Sequence, residues 1–341
     1  MLESIWFVLW GVLWAVYFML DGFDLGLGVL MPFLARSDTE KRIIYRSIGP
    51  FWDGNEVWLI TAGGVTFAAF PLTYAVMFSS LYSALMLVLF ALIIRAVSIE
   101  FRGKVNSPGW KAMWDTGMFV GSLLPALLLG VAFANIFQGI PIDDKGVFHG
   151  TLFTLINPYG LLGGILFLLL FMVHGALWQA FKSEGDFHQR CKICAARIWV
   201  FLLIAAVIFL IATAFATGVY DNYLKYPILF LIPLTTVAGL VLTRIFISNE
   251  GFFKAWCASS VTIVGATLFG VIGIYPSLLP SSLDPTYSLT IHTSASSPLT
   301  LKIMLVVALI FVPVVIGYQI WVYRLFRDKV TVDDLSYDEG Y

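Results

Sequence analysis

The sequence predicts an all-α protein that crosses a membrane repeatedly, and three observations carry that prediction. The 341 residues are 60% hydrophobic and 12% charged, with a mean hydropathy of +0.90, whereas a soluble domain has about 25% charged residues. Apolar stretches of about 20 residues, the length needed to cross a hydrocarbon core, recur from one end of the chain to the other. Lys and Arg gather in every second connection between those stretches, the pattern left when cytoplasmic loops retain positive charge.

Nine segments meet the length criterion, at roughly 5–31, 54–70, 73–97, 117–137, 159–181, 197–217, 227–247, 256–276 and 301–324. The first would be an unbroken apolar run from Ile5 to Leu34 but for Asp21 and Asp24. The second opens in Trp52-Asp53-Gly54-Asn55-Glu56. Only Phe70-Pro71-Leu72 separates it from the third; proline cannot donate to a helix ladder, so a tight hairpin is expected there. The third ends at Arg95, Ser98, Glu100 and Arg102, the fourth follows Asp115, and the fifth carries His174. Nine helices are compatible with two four-helix bundles plus one peripheral helix, and the connections are too short to hold a soluble domain. Residues 1–341 therefore read as one integral membrane domain.

Loop charge orients the stack. Seventeen of the 20 basic residues fall after segments 1, 3, 5, 7 and 9, leaving Lys145, Lys225 and Lys302 for the other face. By the positive-inside rule the N-terminus lies outside and the C-terminus in the cytoplasm of a bacterial-type cell membrane. One helix more or fewer would invert every later loop and scatter these residues. The start lacks a basic n-region, with no Lys or Arg before Arg36, so the first segment is read as a retained helix and not a cleaved signal.

Composition excludes several classes of function. The net charge of −1 says nothing about partners, because in a membrane protein what matters is where the charges fall along the chain, and no nucleic-acid role is suggested. Cys191, Cys194 and Cys257 are too few for a disulfide framework, and Cys191-x-x-Cys194 between basic residues reads as reduced thiols near the cytosol. Walker A, Rossmann glycine and Cys-x-x-Cys-His patterns are absent. Of four histidines only His174 falls within a segment. One intramembrane histidine cannot make a bis-His haem site, so His174 is expected to be a hydrogen-bonded packing residue, and no metal is expected in this chain.

Chemistry is expected at the acids. A carboxyl group inside a membrane costs several kcal/mol by order of magnitude unless it is neutral, paired or hydrated, and so marks proton or ion handling. Asp21 lies in a helix interior, where no free amides can satisfy it, and relay is preferred there over mere packing. Its i, i+3 spacing from Asp24 sets both on one helix face, and Gly22, Gly26 and Gly28 leave room for water or a neighbouring helix. Asp53 and Glu56 open the second segment from the cytoplasmic side; Asp53 suits an N-cap, which is compatible with a relay. Arg95 needs a carboxylate partner or must snorkel to the interface, and snorkelling is the expectation. Glu100 and Asp115 read as interfacial charges. Among the 11 tryptophans, Trp6, Trp10, Trp14, Trp52, Trp58, Trp110, Trp114 and Trp321 read mostly as an interface belt, with Trp52 and Trp58 also possible contacts of a quinone ring.

Asp21-Gly22-Phe23-Asp24-Leu25-Gly26, the stretch from Gly49 to Gly64 containing Trp52-Asp53-Gly54-Asn55-Glu56-Val57-Trp58, and Phe67-Ala68-Ala69-Phe70-Pro71 resemble subunit II of the cytochrome bd quinol oxidases. Met113-Trp114-Asp115, Gly130 to Asn135, Gln138-Gly139-Ile140-Pro141 and Tyr275-Pro276 extend the similarity over essentially the whole chain. The resemblance implies a respiratory terminal oxidase, an electrogenic oxidoreductase that oxidises quinol and reduces dioxygen to water. It implies b- and d-type haems in a partner subunit I, a small single-helix subunit as a further partner, and a structural quinone in some relatives. It also assigns Asp21 and Asp53 to a proton pathway from the cytoplasm, with Asp24 and Glu56 as weaker members, since some relatives have Gln where Glu56 stands. The loop between the sixth and seventh segments is short here, a departure that leaves the accessory contact made by longer versions outside what the resemblance implies. The rival reading is a proton-coupled secondary transporter, for which the chain shows one polar cluster and no second copy.

Overall fold

A helix of 33 residues without a single basic side chain has no reason to stay at a surface. In the computed structural model, which describes residues 1–331 and 333–336, that helix, α1 (Leu2–Leu34), is the centre of the molecule. The chain continues through α2 (Asp38–Ile48), α3 (Trp52–Ala69), α4 (Pro71–Ser80), α5 (Tyr82–Phe101), α6 (Pro108–Gln138), α7 (Leu152–Leu155), α8 (Pro158–Lys182), α9 (Gly185–Ala216), α10 (Val219–Lys225), α11 (Leu231–Ser248), α12 (Phe252–Gly273), a two-stranded antiparallel pair β1 (Ser277–Leu279) and β2 (Leu289–Thr290), α13 (Ile291–Ser294) and α14 (Pro298–Leu325). The expected all-α class holds.

Helices α3, α6, α8 and α12 pack directly on α1; α5 packs on α6, and α8, α9, α11 and α12 close a ring of neighbours. Close approach of α1 to α8 depends on two glycines. A Cβ on Gly26 would stand 1.8 Å from the carbonyl oxygen of Phe171, and one on Gly175 would stand 2.7 Å from the amide nitrogen of Leu27. Backbone therefore lies on backbone, as in membrane helices that associate through small residues. Helix α14 differs from the rest, with Leu301 its only buried residue.

Eight helices among the described residues are long and apolar enough to cross a membrane. The second expected segment becomes α3, whose 18 residues include Asp53, Asn55 and Glu56; these make it too polar to join the eight. The third segment is broken at Leu81 into α4 and α5. Pro71 opens α4 directly after Phe70, the corner where the chain leaves α3. The interface belt needs correction: Trp6, Trp10 and Trp14 are buried on the covered face of α1, and Trp58 is buried on α3. Their indole N–H groups are partly spent inside, Trp6 donating to Leu301 O at 3.0 Å and Trp10 to Thr66 Oγ1 at 2.9 Å.

The basic loops meet at one end of the helices. Asp115 accepts from Lys41 and Arg102, Asp38 from Arg102 and Lys111, and Glu40 from Arg190. Asp115 is thus a hub between α2, α5 and α6, more than an interfacial charge. The opposite end is built from neutral loops, where Ile140 bridges Ser281 and Ser296 N donates to Ala69 O at 2.9 Å.

Two outcomes follow from this packing. Gly26→Val is expected to force α1 and α8 apart and cost about 1–3 kcal/mol or prevent assembly, read as a lower thermal midpoint or lost monodispersity of the purified complex. At the basic end, burial raises Asp38, but hydrogen bonds from Arg102 and Lys111 outweigh it and hold the group below the ordinary 3.8. Burial likewise raises Glu40, and the Arg36 amide with Arg190 outweighs it, below the ordinary 4.5. Depressed carboxyl values in the folded state give stability that is present above the ordinary values and lost as pH falls through the folded ones. Amide exchange in α2 is therefore expected to quicken on acidification through the carboxylate range, before exchange in α1 does.

Candidate functional site

Arg95 follows an unbroken apolar run from Ala84 to Ile94 on α5, and that placement leaves its guanidinium no water to reach. It is 0% exposed. Snorkelling is therefore corrected: Nη2 donates to Asp21 Oδ1 on α1 at 2.6 Å and to Glu56 Oε1 on α3 at 2.9 Å. A buried guanidinium is tolerated only with compensating charge and hydrogen bonds, and here two helices each supply a carboxylate. The side chain of Asp21 is 0% exposed and that of Glu56 22%, so the pair of acids runs from the interior towards the outside of the fold.

Asp24 lies one turn on from Asp21 and is equally buried. Its Oδ2 accepts from Asn55 Nδ2 at 2.7 Å. Asn55 Oδ1 in turn accepts from Gln319 Nε2 at 3.2 Å and from the Tyr323 hydroxyl at 3.1 Å, and Trp58 Nε1 donates to Gln319 Oε1 at 3.0 Å. This chain of bonds ties α14 to α3 and α1. Around the acids, Asp21 Oδ2, Asp24 Oδ1, Arg95 Nε and Nη1, and the Tyr17 hydroxyl are buried with no partner from the protein. Polar atoms in a low dielectric require partners, which makes this a locus for exchangeable hydrogen bonds.

The fold thus gathers three of the four expected acids. Asp53 is exposed in the first turn of α3, where its Oδ1 accepts from the amide of Gly54 at 2.7 Å; Phe51, not Asp53, is the N-cap. Trp58 is buried at the hydrogen bond to Gln319, and Trp52 is half-buried. Four participants escaped the sequence reading: Asn55, Gln319, Tyr323 and Tyr17. Asn55 stood inside the motif already singled out, and Gln319 is an amide within a long apolar run, a signal that could have found it.

Three of the four histidines are committed to other partners. Both ring nitrogens of His174 are engaged, Nε2 donating to Met19 O and Nδ1 accepting from Ser259 Oγ, each at 3.1 Å, and its ring stacks on Trp256 at 5.1 Å. His149 pairs with Asp143 and His188 with Ala180 O. Among the described residues no three His, Cys, Asp or Glu side chains converge as a metal site.

Removing the guanidinium should expose how much it compensates. Arg95→Ala is expected to destabilise by about 3–5 kcal/mol, because two acids lose their counter-charge. Adding Asp21→Asn and Glu56→Gln to it should recover most of that loss, measured as the thermal midpoint of the purified complex.

Comparison with known proteins places the chain in a family. Residues 2–326 match the family Cytochrome bd terminal oxidase subunit II. The cytochrome bd-I ubiquinol oxidase subunit 2 of Escherichia coli K12 is 36% identical, with 98% of this chain and 97% of the relative covered. The cytochrome bd ubiquinol oxidase subunit 2 of Bacillus subtilis is 37% identical, with 97% of each chain covered, and the probable cytochrome oxidase subunit 2 of Haemophilus influenzae is 36% identical over 94% of this chain and 93% of its own. The bd oxidase of Geobacillus thermodenitrificans shares the fold, with a TM-score of 0.77 at 18% identity over 95% of this chain and 98% of that one. The transporter alternative finds no support in these likenesses, and the chain belongs to the cytochrome bd terminal oxidase subunit II family.

Proposed function

We propose that this chain is the haem-free subunit of a quinol:dioxygen oxidoreductase and brings protons from the cytoplasmic side to a haem-bearing subunit I. The observation that carries the reading is the set of three carboxyl groups around one buried guanidinium, bordered by polar atoms with no protein partner. Full ionisation would leave two negative charges uncompensated in a low dielectric, so the cluster is suited to holding exchangeable protons.

Exposure orders the route. Asp53 stands at the surface, Glu56 is partly exposed behind it, and Asp21 is sealed. Because one nitrogen of Arg95 touches both Glu56 and Asp21, either acid can ionise against the same cation while the other carries the proton. Asp24, held by Asn55, forms a side branch of the route.

The rest of the assembly follows from the same reading. In it, α3 joins the eight apolar helices as a ninth crossing, placing the N-terminus outside and the basic end in the cytoplasm. One four-helix bundle contains α1, α3, α5 and α6, a second contains α8, α9, α11 and α12, and α14 is peripheral. Haems b and d reside in subunit I, a small single-helix subunit completes the complex, and a structural quinone belongs to the complex without residues assigned to it here; Trp52 and Trp58 have no support as its contacts beyond their rings.

Asp21→Asn in the purified two-subunit complex is expected to lower oxygen consumption and proton uptake together by about tenfold or more, with the haem spectrum intact. Asp53→Asn should act less, because an exposed carboxyl is readily replaced by water. Wild-type rates of both processes in Asp21→Asn would refute the relay.

A further inference from the structure

Helix α14 is both the least buried helix and the wall of a cavity. Between its C-terminal half and α1, α3, α8 and α12 lies a space of about 680 Å³, within the size range of sites for apolar small molecules, about 300–1,000 Å³. Aromatic side chains, among them Trp58, Trp178, Phe253 and Tyr323, line it, and Arg324 and Arg327 stand at its basic end.

The polar groups of this wall are almost all spent. Gln319 and Tyr323 bind Asn55, Trp58 binds Gln319, and Trp178 Nε1 donates to Ser47 O at 3.0 Å. Among the described residues, Trp256 Nε1 is the one buried donor of the lining with no partner from the protein. A ligand for this space is therefore a long apolar body.

The two arginines specify its other end. Both are exposed; among the described residues the one carboxylate paired with either is Asp328, with Arg327 at 3.8 Å, and that pair is itself open to solvent. The segment carrying Arg327 is pinned, since Lys182 Nζ donates to the main-chain carbonyls of Phe326 and Asp328 and Val330 N to Lys182 O at 2.9 Å. The remaining charges nearby, Lys329 and Glu184, are paired with each other at 3.3 Å. Two exposed cations on a pinned main chain, beside an aromatic slot, match a phosphate carried on an acyl chain.

We propose that the cleft behind α14 binds one anionic glycerophospholipid, its acyl chain against the aromatic wall and its phosphate between Arg324 and Arg327. The lipid fills the space that α14's own side chains leave and holds that helix against the body. In doing so it steadies Gln319 and Tyr323, which fix Asn55 on Asp24.

The purified two-subunit complex, delipidated by detergent exchange, is titrated with phosphatidylglycerol and, separately, with phosphatidylcholine of the same acyl chains, and bound copies are counted by native mass spectrometry. One phosphatidylglycerol is expected to bind tightly and phosphatidylcholine weakly. Arg324→Gln with Arg327→Gln should weaken phosphatidylglycerol about tenfold or more without changing phosphatidylcholine, and Arg324→Lys with Arg327→Lys should keep most of the binding. A photoactivatable acyl chain on phosphatidylglycerol, used on the wild-type complex, should label peptides of α14, α8 or α12. Equal binding of both lipids, an unchanged double-glutamine variant, labelling confined to other helices, or a retained isoprenoid quinone in this cleft would each overturn the proposal.

Discussion

A guanidinium with no exposed surface sets the terms for this fold. Arg95 on α5 is held by Asp21 on α1 and Glu56 on α3, and none of the three helices can shift without leaving charge uncompensated in a medium where that is costly. The constraint matters most between α3 and α5. Their apolar faces do not close on each other but leave a cavity of about 570 Å³ lined by Ile60, Phe67, Tyr82 and Leu89, among others. Across that gap Arg95 and Glu56 make direct contact, so electrostatics does there what close backbone approach does between α1 and α8.

The same feature links scaffold and chemistry. An ion pair that served packing alone would be complete with one acid, whereas this cluster has three carboxyls, a single cation and five buried polar atoms left without protein partners. Surplus acid and unsatisfied atoms are poor choices for rigidity and good ones for proton exchange. Stability at this position is supplied from elsewhere, by the glycine-mediated contact of α1 with α8 and by the charge network that Asp115 and Asp38 organise at the basic end.

Much of this was legible in the sequence. Hydropathy and loop charge located the apolar helices, because bilayer thickness imposes one length on all of them, and the rarity of intramembrane carboxyls singled out Asp21 and Asp24. Pairing was not legible. Arg95 and Asp21 are 74 positions apart, and nothing in local spacing chooses between a partner and the interface for a long cationic side chain. Asp53 shares a motif with Glu56, yet it stands in the first turn of α3 and its side chain lies in solvent, while Asn55 points inward. The tryptophans misled for a related reason: composition cannot say which face of a helix is covered.

The amide of Asn55 has only one orientation open to it. Indole N–H can only donate, so Trp58 obliges Gln319 to present its oxygen there and its NH2 to Asn55, and that bond turns the NH2 of Asn55 towards Asp24. Gln319 and Tyr323 belong to α14, while Asp24 belongs to α1. The orientation of the amide beside Asp24 is therefore set by a helix distant in the chain from the acid it serves, and loosening α14 would leave that amide free to flip.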